Sequence, residues 1–162
     1  YILHPLEAAA IVSTMTENEN VIAAAVLHDV LENTDVTFGQ LEQKFGYIAE
    51  LVAEESENKR ENQPPEETWK IRKQETIEHF KNKATKEAKM IALGDKLSNI
   101  RAIYKDYQTL GDSLWERFNQ KDKSEHGWYY KAMRDVLSEL KDYPAWQEYS
   151  KLVDLVFGTN EI

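Results

Sequence analysis

The sequence predicts an all-α protein folded as a single domain. Only six glycines and four prolines occur in 162 residues, so few positions interrupt helix formation. Apolar residues recur near the helical period in several segments, and no segment shows the apolar–polar alternation of a half-buried strand. Neither an internal repeat nor a domain boundary is visible, and the length suits one sizeable core. We therefore expect residues 1–162 to form one helical domain.

Two helices are expected at the start of the chain. The pair His4-Pro5 fits a helix start with Pro5 at the first helical position, and LEAAAIVSTM continues that helix. After a polar stretch, VIAAAVLHDVLEN is apolar almost all round as far as His28. This pattern predicts one buried central helix.

Two further helices are expected before a polar loop. Thr37 and Gln40 have the spacing of a capping box at a helix start, and Gly46 suits the end of that helix. YIAELVAEES then predicts another helix. Residues 57–67 contain paired prolines among polar side chains, which indicates a surface loop.

The second half of the chain is also predicted to be helical. TWKIRKQETIEHFKNK offers four candidate apolar contacts, Trp69, Ile71, Ile77 and Phe80. KEAKMIALGDKLSNIRAIY carries apolar residues near a helical period. Residues 108–127 are expected to be irregular, and WYYKAMRDVLSELK and PAWQEYSKLVDLVF complete the set of helices.

Composition excludes several classes of function. The chain has no cysteine, so disulfides, thiolate metal sites and cysteine nucleophiles are ruled out. A formal net charge of −9 disfavours general nucleic-acid binding. The sequence contains no run of ~18 apolar residues, so no membrane span is predicted. YILHPLEAA is not a signal peptide, so we expect a cytoplasmic location. The sequence also starts without an initiator methionine, which suggests upstream residues. The sequence leaves open whether the protein forms a homo-oligomer.

The stretch VLHDVLENT places His28 and Asp29 side by side in an apolar segment. Burying Asp29 without a partner would cost several kcal/mol. A divalent ion is one suitable partner, and hydrogen bonds within the core are another. Glu32 follows three residues after Asp29 and projects from the same side of a helix.

Two distant residues strengthen the metal hypothesis. His4 lies at a predicted helix end, and Asp95 lies in the apolar stretch ALGDKLSNI beside Gly94, which permits close approach. With His28 and Asp29 they make two imidazoles and two carboxylates. That donor set suits Mn²⁺, Fe²⁺, Zn²⁺ or Mg²⁺ with positions open for water and substrate.

These segments, in this order, resemble the HD-domain metal-dependent phosphohydrolases. YILHPLEAA, VIAAAVLHDVLENT, FG and GDKLSNIR resemble the hydrolase domain of the Rel/SpoT alarmone enzymes, and the small stand-alone alarmone hydrolases most. The resemblance covers roughly residues 1–104 and extends more loosely beyond them. It implies a helical HD-domain fold that hydrolyses the 3′-diphosphate of guanosine tetra- or pentaphosphate, usually with Mn²⁺. The implied partner is thus a small nucleotide.

The resemblance also assigns roles to individual residues. Glu32 matches the first acid of a catalytic Glu-Asp pair, and Asn33 stands where the second acid is expected. Lys96 and Asn99 fall in the substrate-contacting stretch. The four positions that match metal ligands are His4, His28, Asp29 and Asp95.

Asn33 leaves three functional alternatives open. An amide can orient a water molecule but cannot accept its proton. If both acids are needed, the protein is expected to be slow or inactive on the alarmone, and if Glu32 is sufficient, the activity persists. In the third alternative, the pocket accepts another nucleotide or pyrophosphate compound. A fourth reading, from another class, is a helical module that binds a nucleotide without turnover.

The implied mechanism is metal-assisted hydrolysis. Glu32 would position the attacking water or accept its proton. Lys96 and one residue of WKIRK would neutralise phosphates, and Arg72 is preferred there because arginine can bind phosphate through two hydrogen bonds. For Lys70 and Lys73 a solvated helix face is an equally good interpretation.

Other conspicuous residues receive no functional role at this stage. His79 and His126 are predicted to lie at the surface or at helix ends, and AEESENKREN is predicted to be a solvated helix end and loop. The tryptophans and tyrosines are predicted to be core residues first. These comprise Trp69, Trp115, Trp128, Tyr129 and Tyr130.

Overall fold

The computed structural model describes residues 1–159, and within them the fold is all-helical, as predicted. There is no β-strand in this part of the chain. The α-helices are α1 Leu3–Ser13, α2 Glu19–Leu27, α3 Val30–Asn33, α4 Phe38–Phe45, α5 Tyr47–Glu55, α6 Pro65–Asn82, α7 Lys86–Leu110, α8 Lys123–Val136 and α9 Pro144–Phe157. Two short 3₁₀ helices span Gly111–Arg117 and Ser138–Leu140. None of the helices described is long and apolar enough to cross a membrane.

Helix α7 is the centre of the molecule. Its residues 90–95 are all buried, because α1, α2, α5 and α9 pack around it. These helices bury their own apolar side chains in the same core as α7, including Val12, Val21, Leu51 and Val153. Any polar side chain within residues 90–95 is therefore held in the interior and needs a partner there.

Gly94 allows α1 and α7 to approach closely. A Cβ atom at this position would lie 2.8 Å from the carbonyl oxygen of Ala8 and 2.9 Å from Cγ2 of Val12. One of these contacts is with backbone, so the helices would have to move apart. The glycine is thus required by packing, since its φ angle is not in the left-handed region.

Gly94→Ala is expected to lower the melting temperature by about 3–10 °C, because overpacking outweighs the helix propensity of alanine. Thermal unfolding measured by circular dichroism tests this. The matched control is Gly39→Ala in α4, where no atom lies within 4 Å of the added Cβ. The control should be neutral or stabilising, and equal losses in both variants would contradict the packing argument.

The segment around His28 is not the single helix that the sequence predicts. VIAAAVLHDVLEN is not one helix, because α2 ends at Leu27 and α3 begins at Val30. Asp29 has φ −94° and ψ −2°, which interrupts the regular helix and turns the chain. As a result, the side chains of His28 and Asp29 can face the same point.

The predicted capping box of α4 is confirmed, whereas the predicted start of α1 at Pro5 is wrong. The capping box is confirmed by mutual hydrogen bonds of Thr37 and Gln40, at 2.9 and 3.2 Å. The first helix begins at Leu3, so Pro5 occupies its third position, where the missing N–H is still harmless.

The second half is more regular than predicted. Residues 108–127 include the end of α7, a 3₁₀ helix and the start of α8, so the expectation of an irregular segment was wrong. WYYKAMRDVLSELK was also expected to be one helix, but α8 ends at Val136. Of the apolar contacts proposed for α6, Trp69 and Phe80 are buried, whereas Ile71 is exposed.

Candidate metal centre

Four predicted ligand residues from separate parts of the chain meet in one pocket. Nε2 of His4 lies 3.2 Å from Nε2 of His28. Oδ1 of Asp95 lies 3.0 Å from Nε2 of His4 and 3.3 Å from Nε2 of His28. Asp29 completes the set, with Oδ1 3.4 Å from Nε2 of His28 and Oδ2 3.8 Å from Nε2 of His4. The first turn of α1, the α2–α3 junction and the middle of α7 each contribute to this centre.

The two imidazole rings are fixed by contacts on their outer sides. Nδ1 of His28 donates to the carbonyl oxygen of Ala25 at 2.7 Å, and Nδ1 of His4 lies 2.9 Å from Oγ of Ser98. A carbonyl oxygen only accepts hydrogen bonds, so Nδ1 of His28 carries the proton. In the neutral ring, Nε2 then presents a lone pair to the centre, as a metal-binding histidine does.

The donor set fits a divalent cation. Each carboxylate group lies within 3.8 Å of both ring nitrogens, and positive charge is needed to hold these lone pairs together. The pKa of His28 shows that the neighbouring carboxylates favour positive charge at this site. Burial lowers it, but the hydrogen bond and charge of Asp95 and the charge of Asp29 outweigh burial and raise it to about 9.

Asp95 is held in place by residues of its own helix. Lys96 Nζ donates to its Oδ2 at 2.6 Å, and Asn99 Nδ2 donates to its Oδ1 at 3.1 Å. Burial raises the pKa of Asp95, but Lys96 and the two histidines outweigh burial and hold it well below its ordinary value. Asp95 is therefore a permanent carboxylate at the centre of the site.

The centre opens into a cavity of about 580 Å³ that Glu32 also lines. Oε1 of Glu32 accepts a hydrogen bond from the backbone N–H of Glu57, and Lys59 Nζ donates to the Glu32 carbonyl oxygen. Burial is the main cause of a raised pKa at Glu32. A carboxylate with a raised pKa accepts a proton more readily than an ordinary one.

Asn33 lies outside this cavity lining and is exposed. Its Nδ2 donates to the hydroxyl oxygen of Tyr1 at 2.9 Å, and that hydroxyl donates to Oδ2 of Asp29 at 2.5 Å. The amide therefore reaches the metal centre through Tyr1.

The structure brings Lys73, and not Arg72, to the cavity. Lys73 and Lys96 both line it. Arg72 instead faces a neighbouring cavity of about 230 Å³, where its Nη1 donates to Oε2 of Glu57 at 2.9 Å. Arg72 thus lies beside the metal pocket and not in its lining, because consecutive residues of α6 point about 100° apart, and its contact with substrate stays a prediction.

A third cavity of about 460 Å³ adjoins the metal pocket and is rich in aromatic side chains. The two pockets share four residues, Lys73, Lys96, Asn99 and Ala102. The aromatic lining consists of Trp69, Phe118, His126, Tyr129 and Tyr130. His126 was predicted to lie at the surface or at a helix end. It does lie in the first turn of α8, but it is buried and its Nε2 is 2.7 Å from the carbonyl oxygen of Gln120.

A helical domain with adjacent histidine and aspartate at a shared cation site has the features of an HD domain. The HD-domain profile matches residues 1–121, and the chain belongs to this family. The resemblance inferred from the sequence is thereby confirmed.

Within the family, the chain is related to MESH1 and SpoT. It is 38% identical over 106 residues to the guanosine-3′,5′-bis(diphosphate) 3′-pyrophosphohydrolase MESH1 of Danio rerio, covering 64% of this chain and 55% of that protein. It is 45% identical over 53 residues to the bifunctional (p)ppGpp synthase/hydrolase SpoT of Escherichia coli, which is 32% of this chain and 8% of SpoT. The chain thus spans about half the length of the MESH1 proteins it matches.

Two solved structures share the fold. The crystal structure of lmo0812 from Listeria monocytogenes EGD-e superposes with a TM-score of 0.83 at 28% identity, covering 96% of this chain and 99% of that one. A metazoan orthologue of SpoT that hydrolyses ppGpp superposes with a TM-score of 0.75 at 27% identity, covering 98% and 83%.

Proposed function

We propose that the protein is a cytoplasmic, Mn²⁺-dependent phosphohydrolase that acts on a nucleotide, with guanosine 3′,5′-bis(diphosphate) as the first candidate substrate. The observation that carries the proposal is the convergence of His4, His28, Asp29 and Asp95, with Lys73 and Lys96 on the walls of the same cavity. Cations beside a cluster of metal ligands suit a substrate with several phosphates, even on a protein with net charge −9.

The roles of the residues follow from their positions. A divalent ion held by the four ligands would polarise a phosphoryl oxygen and lower the pKa of a water molecule. Glu32 lines the same cavity and accepts the proton of that water. Lys73 and Lys96 neutralise the phosphates, and Lys96 also holds Asp95 in position.

The aromatic cavity supports a nucleotide over a simple phosphate ester. It begins where the metal pocket ends, at Lys96 and Asn99, so one molecule can occupy both. A purine stacks favourably on aromatic side chains. The MESH1 relatives, named as guanosine-3′,5′-bis(diphosphate) 3′-pyrophosphohydrolases, make guanosine the first base to test.

Asn33 supports two alternatives. Without a second acid, the same machinery could serve another nucleotide or pyrophosphate compound, or could bind a nucleotide without turnover.

A substrate panel with Mn²⁺ tests the proposal. Guanosine tetraphosphate should yield guanosine diphosphate and pyrophosphate, separated by ion-exchange chromatography, and EDTA should stop the reaction. Faster turnover of another nucleotide would favour the first alternative. Binding without turnover of any compound would favour the non-catalytic module.

Asn33→Asp is expected to raise alarmone hydrolysis at least ~10-fold, because a carboxylate restores a second proton acceptor that is connected to the metal centre through the Tyr1 hydroxyl. Steady-state rates with Mn²⁺ measure the change. Asn58→Asp is the control, since it adds the same charge at an exposed loop position outside the metal pocket. An unchanged rate in Asn33→Asp would show that Glu32 is sufficient.

A further inference from the structure

Glu55, the last residue of α5, is an ionisable residue of the metal pocket whose carboxyl group lacks a hydrogen bond. It lines the cavity, yet its Oε1 is buried and has no hydrogen-bond partner among residues 1–159. An ionised carboxylate without a donor is costly to bury, whereas the neutral acid is much less so. The position therefore favours a carboxyl group that keeps its proton.

The nearby Glu57 has the opposite environment. Its carboxylate accepts hydrogen bonds from Lys73 Nζ at 2.7 Å and Arg72 Nη1 at 2.9 Å. Burial raises the pKa of Glu57, but Lys73 and Arg72 lower it overall. Glu57 thus stays ionised and uses the nearest cations, which leaves none to pair directly with Glu55.

The charges that face Glu55 come from several elements. Asp95 and Lys96 lie on α7, Glu32 lies on α3, and His28 lies at the α2–α3 junction. Their signs largely offset one another, so burial dominates and raises the pKa of Glu55 to about 8. Two glutamates on one wall therefore differ in protonation: Glu57 is held ionised by its cations, whereas Glu55 keeps a proton that it can donate.

We propose that Glu55 is the proton donor to the leaving oxygen when the phosphoryl–oxygen bond breaks. This inference rests on the proposed phosphohydrolase function. The water oxygen forms a bond to phosphorus, the bond to the leaving oxygen breaks with its electron pair, and the Glu55 proton moves to that oxygen. The proton of the water goes to Glu32, so Glu32 ends neutral and Glu55 ends ionised.

A second cavity gives Glu55 a route by which to regain a proton. Glu55 and Glu57 line the neighbouring cavity of about 230 Å³ as well as the metal pocket. Glu55 therefore lies in the wall between the two cavities. Solvent protons can return through the second cavity while product is still bound in the first.

The test compares two leaving groups in wild type and Glu55→Gln. Guanosine tetraphosphate releases a ribose hydroxyl, which needs a proton, whereas p-nitrophenyl pyrophosphate releases a stable phenolate. Glu55→Gln should slow the first reaction at least ~100-fold and the second less than ~3-fold. If the panel identifies a faster nucleotide, that nucleotide replaces guanosine tetraphosphate.

Two further variants separate catalysis from structure. Glu55→Asp keeps the acid and should recover part of the lost rate with the nucleotide. Glu54→Gln is the matched control, since Glu54 also has a buried oxygen without a hydrogen bond but lies outside the metal pocket lining. It should keep both rates. Mn²⁺ content, measured by elemental analysis, should equal that of wild type in all three variants.

The outcomes also separate this inference from the proposed function. If wild type hydrolyses no compound of the panel, the proposed function fails and the role of Glu55 fails with it. If wild type is active and Glu55→Gln is equally active with the nucleotide, only the role of Glu55 is overturned. Equal losses with both leaving groups would also overturn it, because a structural defect does not distinguish them.

Discussion

Asp95→Asn is expected to weaken Mn²⁺ binding by more than ~100-fold, beyond the upper end of losses caused by residues that merely support metal ligands. Oδ1 of Asp95 lies within 3.3 Å of Nε2 of both His4 and His28, so it faces the common centre of the site. Asparagine keeps the shape but removes a full negative charge. Isothermal titration with Mn²⁺ after treatment with EDTA measures the loss.

The same substitution should also destabilise the metal-free protein. Lys96 Nζ donates to Asp95 at 2.6 Å, and the two side chains are only 14% and 12% exposed. Removing one partner of such a pair leaves an uncompensated charge in the interior, at a cost of about 3 kcal/mol. The melting temperature in EDTA should therefore fall by roughly 6–12 °C.

Asp29→Asn separates these two effects and is the matched control for the loss of stability. The Asp29 side chain is 25% exposed and receives its hydrogen bond from the Tyr1 hydroxyl, which can also donate to an amide oxygen. Mn²⁺ affinity should fall while the melting temperature in EDTA stays close to that of wild type. Wild-type Mn²⁺ affinity in both variants would show that the His/Asp cluster is not a metal centre.

The four candidate ligands could be predicted from the sequence because each is unusual where it stands. Asp95 interrupts an apolar helical run, and His28 and Asp29 do the same in another. Buried polar side chains need partners, so their positions restrict which segments can meet. The helix break at His28 could not be predicted, because the apolar pattern continues through it.

Glu55 and Glu57 could not be separated from the surrounding acidic run. AEESENKREN was interpreted as solvated, and its charge density supports that interpretation. In the structure, α5 ends at Glu55 and Ser56 adopts an extended conformation, so helical spacing no longer tells which side chain faces inward. Which of Lys73 and Arg72 lines the metal pocket could not be predicted for a related reason, since it depends on how α6 is rotated against its neighbours.

Glu32→Gln should reduce turnover of the nucleotide at least ~1,000-fold, because the amide cannot accept the proton of the attacking water. Glutamine retains an Oε1 that can accept the hydrogen bond from the Glu57 N–H, so the local backbone should be preserved. Among residues 1–159 Glu32 forms no ion pair with His4 or His28, whereas Asp29 and Asp95 each lie within 4 Å of both histidines. Mn²⁺ affinity should therefore remain within a few-fold of wild type.

The combination of lost turnover and retained metal distinguishes Glu32 from the ligands. Single-turnover rates and Mn²⁺ titration on the same preparation measure the two quantities. Glu61→Gln provides the control, since it removes an equal charge from an exposed position in the loop before α6. Joint loss of metal and activity in Glu32→Gln would make Glu32 a ligand. Retained activity would move the proton acceptor elsewhere in the pocket, because no other role assigned to Glu32 requires a carboxylate.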